Sequence, residues 1–253
     1  MIFALTGSIM DDRVLINDFA RRSFRDIADQ DYIAARVNYQ ANLPEPFLWC
    51  SLQTIEKYLK AILLFNDCSA KQLSHDLEKS LSLVLAISDI NFDIPDDVKR
   101  FIRYLNSYGA NRYLEYSTYM RPRCLFELDK SVWHIRRYCY YMRGEIKIRK
   151  DLRKPRLPLE LDRIHKQYFA ENPHKYTLFQ GYLENAIKKN SEAAKWLVWH
   201  NFYFGKRKKN FVKKHPEFFS SVNPTLTLHP EAYDVLKPLV NFSKPVRQLF
   251  EES

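Results

Sequence analysis

The chain of 253 residues carries 40 Lys and Arg against 30 Asp and Glu, a formal net charge of +10, with only five glycines and four cysteines. So few glycines, with apolar residues spaced by three and four through most of the chain, exclude a sheet built on tight turns and predict an all-α protein. No apolar run reaches the length of a membrane span, and Cys50, Cys68, Cys124 and Cys139 show no CxxC spacing, which fits reduced thiols in a cytoplasmic protein.

The opening Met1 to Met10 is apolar but lacks a basic flank and runs into Asp11 and Asp12, so it reads as part of the fold. Residues 12–41 predict one long helix whose apolar side holds Phe19, Phe24, Ile27, Tyr32 and Ala35. The central helix follows over Leu48 to Leu64, with Pro44 and Pro46 at its start and Leu48, Leu52, Ile55, Leu59 and Ile62 as its buried face. Gln53, Glu56, Lys57 and Lys60 form a narrow polar stripe on this otherwise apolar rod. Charges beside a core must be paired, solvated or used. The stripe therefore faces a ligand or a second subunit, or else Glu56 simply pairs with Lys60 one turn on; Lys57 has no equally well-placed acid on its own helix.

Ser74 is expected to cap a third helix running through Leu77, Leu81, Val84 and Leu85 to about Ser88, with Asp76 and Glu78 in its first turn. Asn91 to Pro95 links to a fourth helix, Asp96 to Tyr108, which Gly109 stops. Asn111 to Pro122 is an aromatic, basic connection. Here Arg112, among Tyr108, Tyr113 and Tyr116, could hold a phosphate while a ring stacks on a base, or merely close a loop. Leu125, Leu128, Val132, Ile135, Cys139, Met142 and Ile146 then predict an unbroken fifth helix, in which His134 is a structural, partly buried residue.

The charged, proline-punctuated stretch Lys150 to Pro158 marks the expected domain boundary, dividing a helical bundle over 1–149 from a basic, mostly helical part over 150–253. Residues 1–145 carry 19 basic and 19 acidic side chains, whereas residues 146–253 carry 21 and 11. This asymmetry suits a polyanionic partner for the second part, nucleic acid before an acidic protein or membrane surface. Helices are expected near 159–170, 178–189, 192–203 and 230–236. Between them, Lys206, Arg207, Lys208, Lys209, Lys213 and Lys214 follow Phe202, Tyr203 and Phe204, a pattern that can neutralise a phosphate backbone while rings stack on unpaired bases. His165 and His174 lack any accompanying metal-ligand spacing, and no glycine-rich phosphate loop is present, so no metal or cofactor is expected.

Three stretches together resemble the HEPN family: Gln53-Thr54-Ile55-Glu56-Lys57-Tyr58-Leu59-Lys60-Ala61, Ser74-His75-Asp76-Leu77, and Tyr104-Leu105-Asn106 running into Asn111-Arg112-Tyr113. The resemblance covers roughly the first 145 residues. It implies an antiparallel bundle of about five helices, commonly a homodimer, that works on RNA or nucleotides, often in toxin–antitoxin or antiviral systems; the alternative is a bundle that has lost its ligand and serves only for assembly with a protein partner, and no membrane is expected. It points to Gln53, Glu56, Lys57, Lys60, Asn111 and Arg112 as the ligand-binding set. Ribonuclease members carry an Arg followed by four to six residues and a His. This chain departs from that pattern, since none of Tyr116, Ser117, Thr118 and Tyr119 after Arg112 is His. Any catalytic role would fall to Arg112 with His75 or a tyrosine as a substitute, because such chemistry needs a group that moves protons near neutral pH.

Overall fold

The structure is a computed structural model and describes residues 12–71, 73–111, 113–149, 152–168, 173, 176–205 and 220–251. Helix α1 (Asp12–Phe19), a π-helical segment (Ala20–Arg25) and α2 (Asp26–Gln40) form one continuous rod. The wider π turn inserts a residue and resets the buried face. Ala20 and Arg25 are therefore buried, while Phe19, expected on the apolar side, is more than half exposed. Helix α3 (Pro44–Phe65) buries all five of its predicted core residues and packs along α2. Around it lie α4 (Leu77–Leu85), α5 (Asp96–Tyr108) and α6 (Cys124–Arg136). Gly109 ends α5 as expected, in ordinary right-handed geometry. A Cβ there would stand 2.7 Å from Leu52 Cβ and from the Leu105 carbonyl, so the glycine serves close approach.

Helix α6 stops at Arg136, ten residues short of its expected end. Tyr138, Cys139 and Met142 stay buried beyond it in irregular chain, and a helix-like spacing of buried residues does not by itself require a helix. A hairpin, β2 (Glu145–Arg149) with β3 (Leu152–Pro155), follows where helix and linker were expected. Helices α7 (Arg156–Tyr168), α8 (Tyr182–Lys188) and α9 (Glu192–Val198) follow, the last two shorter than their apolar patterns suggested. The short strands β1 (Thr118–Met120) and β4 (Ser220–Val222) pair antiparallel. Beyond them, α10 (Thr225–Leu228), α11 (Ala232–Leu236) and α12 (Lys244–Glu251) gather around a small cluster of Leu226, Tyr233 and Val246.

The main core runs on across the Lys150 to Pro158 stretch: Ile164, Tyr176, Leu178, Leu183, Leu197, Tyr203 and Phe204 belong to the same buried cluster as the α3 residues. Four buried arginines carry the chain from bundle to C-terminal part. Arg36 of α2 pairs with Asp129 of α6 and donates to the carbonyls of Trp196 and Trp199. Arg136 of α6 pairs with Asp29 of α2 at 2.7 and 2.8 Å and with Glu184 of α8 at 2.8 Å. Arg137 donates to the Ile164 carbonyl at 2.8 Å, and Arg25 to that of Gln180 at 3.2 Å. The first two pairs are reciprocal: α2 and α6 run antiparallel, and each supplies an Asp and, two turns later, an Arg. Tyrosines complete both, with Tyr58 Oη donating to Asp29 at 2.5 Å and Tyr32 Oη to Asp129 at 2.6 Å. Burial alone would lower the pKa of Arg136, but Asp29 and Glu184 reverse that and keep it charged.

Removing one member of such a pair strands a buried charge, so Arg136→Ala is expected to cost about 3–5 kcal/mol in urea unfolding. The paired replacement Asp29→Leu with Arg136→Met is expected to cost clearly less than Arg136→Ala alone, measured the same way.

Candidate functional site

Helix α3 is apolar nearly all round because neighbours cover most of it, and the polar stripe marks where that cover is incomplete. Glu56 lies at the centre of the stripe with only 4% of its surface exposed. Its Oε1 accepts from Lys60 Nζ at 2.5 Å, and its Oε2 meets His75 Nδ1 at 2.8 Å and Gln53 Nε2 at 3.3 Å. Burial raises the pKa of the Glu56 carboxyl, but its bonds to Lys60 and His75 outweigh this and hold it below the usual carboxylate range. The Glu56–Lys60 pair read from the sequence is thus present, and a third member joins it from another part of the chain.

His75 reaches Glu56 because its backbone takes the left-handed region, φ +34°, just before α4. Two residues after the expected Ser74 cap, Asp76 is the residue that caps α4, accepting from Lys79 N at 2.9 Å. This later start leaves His75 outside the helix and turns its ring back onto α3. The edge of Trp49 packs against the ring, with centroids 5.3 Å apart. With Nδ1 held by a buried carboxylate, the imidazole has a fixed orientation and keeps Nε2 as its remaining polar atom, on a side chain half exposed to solvent. Asn106 of α5 accepts from Leu77 N at 2.8 Å. The three motifs singled out in the sequence therefore meet at one place: α3 through Glu56, the α4 entry through His75 and Leu77, and α5 through Asn106.

Other expected members stand elsewhere. Lys57 is ion-paired to Asp31 of α2, on the face of α3 turned to that helix, so it is not the uncommitted cation expected. The acid lies 26 residues earlier, outside any helical spacing that would have revealed it. Asn111 is buried, and its amide organises its own loop: Nδ2 donates to the Tyr116 carbonyl at 2.5 Å and to Thr118 Oγ1 at 2.7 Å, and Oδ1 accepts from Glu115 N at 2.8 Å. Its amide is committed to building that loop. Arg112 lies outside the described residues, as do Lys206, Arg207, Lys208, Lys209, Lys213, Lys214 and His174. His134 is buried beside Arg137 and Trp133. Burial, then the Arg137 charge, pushes its pKa down to about 3 and keeps it neutral, in line with a structural role.

The fold and this junction define a class: an antiparallel helical bundle whose central helix presents a Gln-x-x-Glu-x-x-x-Lys edge to a histidine at the next helix entry. Residues 22–131 match the family model described as the HEPN domain, from the π-helical segment through most of α6. The chain carries a HEPN domain over those residues. Comparisons with curated proteins and with solved structures give no match.

Because the Glu56 pKa is depressed on folding, its ion pairs stabilise the protein fully above the unfolded carboxylate value, and that contribution is lost as pH falls through the lower folded value. Glu56→Gln is therefore expected to lower Tm at neutral pH, with the gap to wild type closing on acidification. A gap that stays constant across thermal melts down the acid range would show that Glu56 is not held as the anion.

Proposed function

We propose that the protein binds RNA or a nucleotide at the Gln53–Glu56–Lys60–His75 junction of its HEPN domain, as a homodimer. The observation that carries this reading is the imidazole of His75, held at the surface by a buried carboxylate where three separate stretches of the domain converge. The lysine on this buried glutamate offers donors to a phosphate oxygen, as does the histidine in its doubly protonated form, while the glutamate fixes their positions. The basic run Lys206 to Lys209, with Lys213 and Lys214, would add affinity for the phosphate backbone that is indifferent to sequence.

The same pair favours a second reading, a metal-independent ribonuclease in a toxin–antitoxin or phage-defence setting. A carboxylate behind an imidazole fixes the tautomer of a general base, and His75 Nε2 is positioned to exchange protons with a bound hydroxyl.

One set of measurements separates these readings. Single-stranded RNA is expected to bind at low salt, and charge reversal at Lys206 to Lys209 is expected to cut the slope of log K against log salt by about 3. His75→Ala should weaken binding in either case. In chelator, cleavage of that RNA by wild type but not by His75→Ala, together with growth arrest on expression, would establish the ribonuclease. Intact RNA leaves the binding protein. Absence of binding at low salt overturns both.

A further inference from the structure

Residues 145–156 carry six basic side chains against two acidic ones. In the fold most of this stretch is the β2–β3 ribbon. Neither strand joins a third among the described residues, and Glu145, Ile146, Lys147 and all four residues of β3 are exposed. A lone two-stranded ribbon is marginal in water, and this one is fixed at its foot. Arg156 N donates to the Gly144 carbonyl at 2.9 Å. Glu160 accepts from Tyr140 Oη at 2.7 Å and from Arg156 Nε at 3.1 Å, and Arg143 pairs with Asp89 at 3.0 Å. Gly144 turns the chain into β2 at φ +91°, a conformation that a side chain would strain. The ribbon is thus anchored at its base and bare along its described length.

Its register sets like charges face to face. Lys147 stands directly opposite Arg153. Side chains so placed have Cβ atoms roughly 5 Å apart, and like charges there destabilise the pairing. Glu145 reaches Arg153 on the diagonal at 3.6 Å, but both side chains are largely exposed, so that ion pair offsets little. Lys154, opposite Ile146, adds a cation on the other face of the ribbon. The free protein gains nothing from this crowding. An anion between Lys147 and Arg153 converts the repulsion into a grip from two sides, with the guanidinium able to donate two parallel hydrogen bonds.

We infer that the β2–β3 ribbon is a contact for the RNA backbone, with Lys147 and Arg153 closing on one phosphate. Cations on both faces favour a strand over a lipid surface: a bilayer is flat and meets one face at a time, whereas a nucleic-acid strand can pass over both. Phosphates repeat along that strand, so the cation of the second face is neutralised by the same molecule. The inference rests on the RNA reading and adds to it a site outside residues 22–131, apart from the His75 junction.

Titration of a single-stranded oligoribonucleotide into the full chain, repeated across a salt series, tests it. Lys147→Gln with Arg153→Gln is expected to weaken binding at low salt by roughly tenfold. The slope of log K against log salt should fall by about 0.7, the share of one phosphate. The same variant should melt at or above the wild-type temperature, since it relieves the cross-strand repulsion. Glu145→Gln, which frees Arg153 from its acid, should strengthen binding roughly threefold. Lys237→Gln with Lys244→Gln, an equal loss of exposed charge on the C-terminal helices, is the control and should weaken binding much less. Several outcomes overturn the inference. RNA binding that the ribbon variant leaves intact, or that the control weakens as much, removes the ribbon while the RNA reading stands. A slope change near 1.4 means two separate phosphates and refutes the shared grip. If the ribbon variant loses instead a wild-type affinity for phosphatidylserine vesicles, the ribbon belongs to a membrane surface. No RNA binding by wild type ends both readings together.

Discussion

The reciprocal pairing of Asp29 with Arg136 and Arg36 with Asp129 is the constraint on which the rest of the structure depends. Four charges have been taken out of water, which is costly unless each finds both an opposite charge and enough hydrogen bonds. Here each carboxylate receives a guanidinium and a tyrosine hydroxyl, and each guanidinium has donors left over. Those spare donors reach Glu184 and the carbonyls at the end of α9. The C-terminal helices are therefore part of the solution by which the bundle neutralises its own interior. Arg25 and Arg137 repeat the device at Gln180 and Ile164, so guanidiniums rooted in the bundle hold the neighbouring segment at four points.

That framework explains why the His75 junction can be partly open. The helix carrying Glu56 is fixed on one side by α2 and on the other by the core, so its carboxylate has no freedom to follow a mobile partner. The partners come to it instead. Lys60 arrives along the helix, and His75 arrives through a backbone turn that a non-glycine residue adopts only when its surroundings enforce it. Asp76 and Asn106 supply that enforcement by fixing the α4 entry on both sides. Lys57, one residue from Glu56 on the same helix, faces α2 and serves packing.

Much of this was legible in the sequence, and the misses have physical causes. The α3 core positions, the Glu56–Lys60 pair and the structural character of His134 follow from local spacing alone. The HEPN resemblance came from three short motifs, and the structure brings Glu56, His75, Leu77 and Asn106 of them together. The joining of His75 to Glu56, by contrast, depends on a cap two residues later than the obvious serine. The partner of Lys57 sits on another helix. The end of α6 was hidden because buried residues in irregular chain kept helical spacing. The buried arginines did leave a trace, an Asp and an Arg seven residues apart in both α2 and α6, but charges at that spacing read as solvated until tertiary contacts remove the water. The loop role of Asn111 likewise depends on carbonyls that only the folded chain brings near.

The reach of Arg136 has a consequence for where this protein can be divided. Sequence likeness to the HEPN model ends at residue 131, whereas the guanidinium that neutralises Asp29 stands at 136 and its second carboxylate at 184. A fragment cut to the limits of likeness would leave a naked acid in its interior, and one cut after the hairpin would leave its arginines short of partners. The stretch that matches the family model is thus shorter than the stretch that neutralises its buried charges.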